Sequence, residues 1–288
     1  AMAKDVAKIT MLQRSPTYVI SRPSVDPFAK RMRRLYPKRI AYALTRIENT
    51  TRQQELYKLC RGFPAEVKQV MIDAVRAELG PDYDVEKHFG PQYAPWDQRL
   101  CAVPDGDLFR EIRHGRAHVV TDAIDRFVPE GIRLRSGDIL PADLIVTATG
   151  LRVQPLGAVH IDVDGRAVKL AETMVYRGAM LSGVPNMIHT FGYTNASWTL
   201  KADLTAGFVC RLLNHMDRQG YRFVCPQHDG ALTPQPFLDF TSGYVVRASE
   251  RLPKQGPSAP WRVHQNYLLD LLALRFGRLE DGVLRFSA

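Results

Sequence analysis

Ile9-Thr10-Met11-Leu12-Gln13-Arg14-Ser15-Pro16 is the stretch on which the reading of this 288-residue chain turns. Ile9 to Leu12 reads as a short buried strand, and Pro16 pushes Ser15 out of helical geometry, so the strand exits into a loop. In a dinucleotide-binding βαβ unit, the second strand ends about 20 residues after a glycine-rich turn, and its last residue selects the cofactor. An acidic side chain there takes NAD, whereas an arginine accommodates the 2′-phosphate of NADP. Gln13-Arg14-Ser15 carries the second chemistry: a guanidinium for bidentate phosphate contact and a hydroxyl donor beside it. Residues 1 to 8 read as the tail of a helix, and no GxGxxG occurs anywhere, so this reading puts the phosphate-cradling turn upstream of residue 1. On spacing alone, a surface charge at a strand end is the stronger reading of Arg14.

Working outward, residues 26 to 87 read as helical and basic, with apolar positions three and four apart between Glu66 and Val75, and Gly80-Pro81 as a stop. Residues 88 to 99, rich in proline and aromatics, read as a binding loop. A short helix over 106 to 114 precedes strands at 117–121, 123–128 and 131–134. Asp143 to Gly150 reads as a strand, its apolar run bounded by Asp and Gly, and the sum is mixed α/β with a buried parallel sheet. Farther on, Asn186 to Gly192 reads as another buried strand and residues 192 to 195 as a polar turn. Ala196 to Arg218 reads as a long amphipathic helix closed by Gly220. A proline-rich loop (253 to 260) and a helix around 266 to 275 complete the chain. No solenoid-period repeat is present.

Composition narrows the classes. Apolar residues at 45% and charged residues at 24% allow a large core, so the chain need not be disordered. The 20 glycines and 19 prolines, unpatterned, exclude collagen-like sequence. Cys60, Cys101, Cys210 and Cys225 show neither CxxC spacing nor a disulfide framework, which suits a reducing cytoplasm. Cys101 reads as a buried structural thiol. No apolar run is long enough to span a membrane, and residues 1 to 20 lack the pattern of a signal peptide. Lys and Arg exceed Asp and Glu by nine (39 − 30), most densely at Lys30-Arg31-Met32-Arg33-Arg34 and Lys38-Arg39. Such a run reads as a solvated helix face. No RNP-like or zinc-finger pattern accompanies it, so nucleic acid is not an expected partner, while an anionic cofactor or peripheral membrane association stays open. His114 and His118 read as ordinary histidines straddling Gly115, not as metal ligands, and no GxSxG is present.

Several segments then fall into one order. Leu12 to Tyr18, His88 to Pro91 with Pro95 to Cys101, Asp143 with Ala148 to Gly150, Gly192 to Leu204, and Pro253 to Gly256 with Pro260 to Arg262 together resemble the class B flavoprotein monooxygenases of Baeyer–Villiger type, most closely a mycobacterial member. The resemblance implies a flavoprotein architecture with two dinucleotide-binding domains, N-terminally truncated. Residues 1–147 would be a partial NADPH domain with a helical insertion at about 26–88, and 148–288 the C-terminal half of the FAD domain with a C-terminal extension. It implies FAD and NADPH as cofactors, O2 as co-substrate, and a ketone or sulfur-containing (sulfide or thioamide) small molecule oxidised through a C4a-(hydro)peroxyflavin.

By motif, Arg14 and Ser15 correspond to the contacts with the 2′-phosphate of NADPH, with Gln13 beside them. Arg99 corresponds to the active-site arginine, a permanent cation favouring reduced anionic flavin and charge developing on the attacked centre. Gln98 stands where many relatives carry lysine, which weakens a second phosphate contact. Thr149 and Gly150 would lie near cofactor, since glycine permits close backbone approach. Asn195 has two readings, a cap on the helix that follows or a group facing the flavin's polar edge. Both glycine-rich turns are missing from the sequence, so the rival to an enzyme is a non-catalytic remnant acting as a binding or interaction protein.

Overall fold

The computed structural model describes residues 2–98, 100–228, 230–238 and 240–288. The chain divides into two compact units, Ala1–Thr149 and Gly150–Ala288.

In the first unit β1 (Ile9–Gln13) runs parallel to β4 (Ala117–Thr121), with Gln13 opposite Thr121, and β2 (Val19–Arg22) runs parallel to β3 (Cys101–Pro104). Between β2 and β3 the chain makes four helices: α1 (Pro27–Leu35), α2 (Lys38–Gly62), α3 (Pro64–Leu79) and α4 (Val85–Phe89). α5 (Asp107–Arg113) lies between β3 and β4, and β5 (Ile124–Val128), β6 (Gly131–Leu134) and β7 (Ile139–Pro141) form an antiparallel meander. Helix ends follow local chemistry. Asp26 Oδ1 caps α1 by accepting from Phe28 N at 2.9 Å and Ala29 N at 3.2 Å, Pro27 and Pro64 occupy first turns, and Gly80 ends α3 at φ 90°. Val19, Ile72, Val75, Phe89, Phe109 and Val119 are buried together, which ties α3, α4 and α5 to the strands. Each such side chain contributes roughly 1.5–3 kcal/mol of burial.

The second unit is built on α6 (Trp198–Gln219), which ends at Gly220 in the left-handed conformation. The unit also holds short antiparallel ladders: β8 (Asp162–Val163) with β9 (Arg166–Ala167), β10 (Val175–Tyr176) with β11 (Met180–Leu181), β12 (Phe223–Pro226) with β15 (Leu284–Ser287), and β13 (Gln235–Pro236) with β14 (Lys254–Gln255). Two short helices, α7 (Gly243–Ala248) and α8 (Tyr267–Leu271), follow, and a π-helical turn over Leu272–Phe276 continues α8. Phe208, Leu212 and Met216 on α6 pack with Tyr176, Met180, Trp261 and Leu274.

Several sequence expectations need correcting. Residues 143 to 150 form no strand: they lie in irregular backbone, with Leu144 75% and Val146 72% exposed. A strand exists through its ladder, and no described strand runs beside this segment. Residues 186 to 192 are likewise not a strand, because Asn186 N bonds Val224 O while His189 N bonds Ala179 O, two separate anchor points. The expected single buried parallel sheet is two separate parallel pairs, and β1 is only half-buried. Of residues 1 to 8, Met2–Lys4 make a single 3-10 turn. Cys101 is exposed, whereas Cys60 and Cys225 are buried.

Candidate cofactor sites

In the first unit the expected phosphate contacts lie where parallel strands usually present ligand sites, at their carboxyl ends. Arg14 and Ser15 are both exposed just beyond β1, and Arg14 meets no carboxylate among the described residues. Gln13 is differently employed. Its Nε2 donates to His88 O at 2.7 Å and to Thr121 Oγ1 at 2.9 Å, and Thr121 Oγ1 lies 2.9 Å from His88 Nδ1. The Gln13 amide thus stitches the ends of β1 and β4 to α4, and its donors are committed. Burial holds the His88 imidazolium below its ordinary pKa, with the Lys87 charge adding to the effect.

Next along the strand-end loop, Thr17 and Tyr18 engage the segment that leads to position 99. Thr17 Oγ1 lies 2.8 Å from Tyr93 OH, Tyr18 OH donates to Tyr93 O at 2.6 Å, and the two tyrosine rings meet edge to face at 5.5 Å. Burial, then the neighbouring Tyr93, pushes the Tyr18 phenol up to about 12. Asp97 accepts from Ala94 N at 3.2 Å and pairs with Arg61 at 2.6 Å, while Lys68 Nζ donates to Pro91 O at 2.6 Å. Gln98, half-buried, bridges to Pro95, and Trp96 holds φ 71° with its buried Nε1 unpartnered among the described residues. Beyond position 99, Cys101 N donates to Tyr18 O at 2.9 Å. The expected Arg99 itself lies outside the described residues, so the structure brings together the segments on either side of it and the chain just past Arg14. His114 Nδ1 meets Arg116 at 2.8 Å, His118 is exposed, and among the described residues no group of His, Cys, Asp or Glu could hold a metal ion.

Thr149 and Gly150 are exposed in irregular backbone, the last residue of one unit and the first of the next. Gly150 has φ +133°, a conformation that favours glycine, and a Cβ there would meet nothing within 4 Å.

In the second unit the turn before α6 is clamped onto residues 265 to 270. Thr194 N and Oγ1 both donate to Gln265 Oε1, at 2.9 and 3.0 Å, and Asn195 Nδ2 donates to Gln265 O at 2.8 Å. Asn195 is therefore not the helix cap. That position falls to Ser197, whose extended backbone begins α6 and whose Oγ turns to Thr199 Oγ1 (2.8 Å) instead of a helix N–H. Asn195 is 3% exposed, yet its Oδ1 has no partner among the described residues. His189 Nδ1 and Thr205 Oγ1 are in the same condition. Buried polar atoms are almost always paired, and Asn195 Oδ1 is an acceptor that a donor on a bound group would satisfy.

A charged cluster that the sequence reading missed supports this turn. Lys201 Nζ lies 2.8 Å from Asp270 Oδ2, and Tyr193 OH donates to the same carboxylate at 2.7 Å. Burial lowers the Lys201 pKa while Asp270 opposes it, and burial also raises the Tyr193 phenol far above its usual range. The available signal was a lysine on the apolar stripe of a helix, between Leu200 and Leu204.

Comparison with known proteins supplies what geometry alone does not. No family model matches the chain. The FAD-containing monooxygenase EthA of Mycobacterium tuberculosis is 51% identical over 289 residues, covering 100% of this chain and 59% of that protein. Over its whole length the chain is similar to FAD-containing monooxygenases. The probable FAD-binding monooxygenase AlmA of Acinetobacter baylyi is 47% identical, with 100% of this chain and 58% of that protein covered. Among solved structures, the FAD-bound form of OTEMO superposes with a TM-score of 0.65 at 16% identity, over 99% of this chain and 63% of that one. An oxidised steroid monooxygenase bound to NADP gives 0.64 at 14% identity, with the same coverage. The fold is thus shared with these two-dinucleotide-domain flavin monooxygenases. The chain spans under two thirds of the length of the homologues it matches.

Proposed function

We propose that the chain forms the larger part of an FAD- and NADPH-dependent monooxygenase that transfers one oxygen atom from O2 to a ketone or a sulfur-bearing small molecule. Its first unit, on this reading, belongs to the NADPH-binding domain and its second to the FAD-binding domain. The observation that carries the reading is the guanidinium of Arg14, exposed with Ser15 at the carboxyl end of a parallel strand and meeting no described carboxylate. A phosphate monoester fills that need with bidentate, charge-assisted hydrogen bonds, and Ser15 adds a hydroxyl donor.

FAD, when bound and reduced by NADPH, supplies the centre at which oxygen is activated. The chain's own residues do the rest. Asn195 Oδ1 would accept a hydrogen bond from the bound cofactor while its Nδ2 stays fixed on Gln265 O. The first N–H groups of α6, which have no side-chain cap, would be available to a polar group of the same cofactor. Arg99 holds a permanent positive charge that stabilises negative charge developing on the attacked substrate. Thr149, Gly150 and Gln98 would add further cofactor contacts. The segment from Tyr93 to Asp97 is pinned at both ends, at Tyr93 by Thr17 and Tyr18 and at Asp97 by Arg61.

Binding measured on the full chain tests the reading without turnover. NADPH should bind more tightly than NADH, and Arg14→Ala should reduce NADPH affinity about tenfold while leaving NADH unchanged, a charge-assisted phosphate contact of about 1.4 kcal/mol. Equal affinities for the two nucleotides in the parent chain would refute it.

A further inference from the structure

We propose that the corner made by α1 and the start of α2 docks on the surface of an anionic lipid bilayer. Between Asp26 and Glu48 the sequence contains no acidic residue, and six cations fall within ten positions: Lys30, Arg31, Arg33, Arg34, Lys38 and Arg39. All six side chains are exposed, and none makes an ion pair among the described residues. Elsewhere in the same unit Arg76, Arg113 and Arg116 are each paired with glutamate or aspartate at 2.5 to 3.0 Å, so this patch is a local concentration of uncompensated charge. Helix stability does not account for it. Lys38 and Arg39 sit in the first turn of α2, at the positive end of the helix dipole, where cations are disfavoured.

A cleft of about 770 Å³ opens in this corner, lined by Arg33, Lys38, Arg39, Tyr42 and Thr45. It offers three cations and no carboxylate, with the Tyr42 hydroxyl already accepting from Arg46 at 3.0 Å. That lining suits a phosphate ester. Charge alone would fit any polyanion, and the apolar residues decide among them. Leu35 (58% exposed), Tyr36 (45%) and Ile40 (48%) alternate in sequence with the cations and stand in solvent. Aliphatic side chains among arginines gain nothing from the phosphates of a duplex. At a bilayer they enter the headgroup–acyl boundary while the cations meet the anionic lipid, and tyrosine is at home there. Among the described residues no helix is long and apolar enough to cross a membrane, and the contact proposed is with the bilayer surface. It stands independently of the flavoprotein reading.

Vesicle co-sedimentation of the full chain tests this, using phosphatidylcholine alone and phosphatidylcholine with one part in four phosphatidylglycerol. Binding should appear only with the anionic lipid and fall steeply as salt rises. Arg33→Glu with Lys38→Glu should weaken it more than tenfold, and Lys30→Glu with Arg31→Glu, farther from the α1–α2 contact, serves if the first pair fails to fold. Leu35→Ser with Ile40→Ser should weaken vesicle binding at least fivefold yet leave retention on heparin unchanged. Equal binding to neutral vesicles overturns the proposal. So does an apolar double variant that binds vesicles as well as its parent, or binding to duplex DNA as tight as to anionic vesicles.

Discussion

Lys201 Nζ and Asp270 Oδ2 are 2.8 Å apart, and both residues are only 2% exposed. The lysine rises from the first turn of α6, the aspartate from α8 sixty-nine positions later, so this contact fixes the turn between Tyr193 and Ser197 relative to residues 265 to 270. Removing one partner strands a buried charge. Asp270→Ala should therefore cost about 3–5 kcal/mol in urea unfolding, whereas Lys201→Met with Asp270→Leu should recover most of that loss. If the single and double variants lose the same amount, the pair is not energetically coupled.

His189 gives the second unit a pH-dependence whose sign can be worked out. Burial, with Lys201 second, pushes its imidazole down to about 4, against 6.5 unperturbed. On acidification the unfolded chain takes up this proton first, so the stability due to neutral His189 is complete above about pH 6.5 and is lost as pH falls toward 4. The 2.5-unit difference corresponds to at most about 3 kcal/mol. Urea midpoints between pH 7 and 4 should fall for the parent chain and flatten by most of that amount in His189→Gln. An unchanged slope in the variant would locate the acid sensitivity elsewhere.

These two residues also mark where sequence stops being informative. A lysine between Leu200 and Leu204 on the apolar stripe of α6 is visible as an anomaly in the sequence, but its partner Asp270 is reached only through tertiary folding. Elements defined locally were legible for the same reason: β1 with its Pro16 exit, α3 with its Gly80 stop, α6 with its Gly220 terminus. Residues 143 to 150 and 186 to 192 misled because an apolar run signals burial or pairing without saying whether a neighbouring strand exists. The cap of α6 turned on the backbone angles of Ser197, which leave Asn195 two residues too early. Gln13 was visible as a strand-end residue, but not that its amide would be taken up by His88 and Thr121.

Gln13 and Arg14, adjacent in sequence, should respond oppositely to truncation. Gln13→Ala removes the donor to His88 O and Thr121 Oγ1 in a half-buried setting and should cost about 1–2 kcal/mol of stability. Arg14, exposed, should tolerate alanine within about 0.5 kcal/mol. Denaturant titration of both variants distinguishes a structural glutamine from an arginine free to bind. A destabilised Arg14→Ala would mean the guanidinium holds the fold together.

Gly192 tests the packing at the entrance to α6. A Cβ built there would fall into the Trp198 ring system, beside the contact between Phe191 and Trp198, whose rings are 5.2 Å apart. The clash involves the atoms of the indole nearest its own backbone, so the ring cannot simply swing its far end away. Gly192→Ala should cost about 1–3 kcal/mol through overpacking. Trp198 is 48% exposed, so Trp198→Ala alone should cost less than a core tryptophan would. Combined with Gly192→Ala, it should relieve the clash. A double-mutant cycle by urea unfolding would then give a double variant more stable than the sum of the two single losses, with a coupling of about 1 kcal/mol or more. Strict additivity would mean that the glycine is required by its backbone and not by the indole.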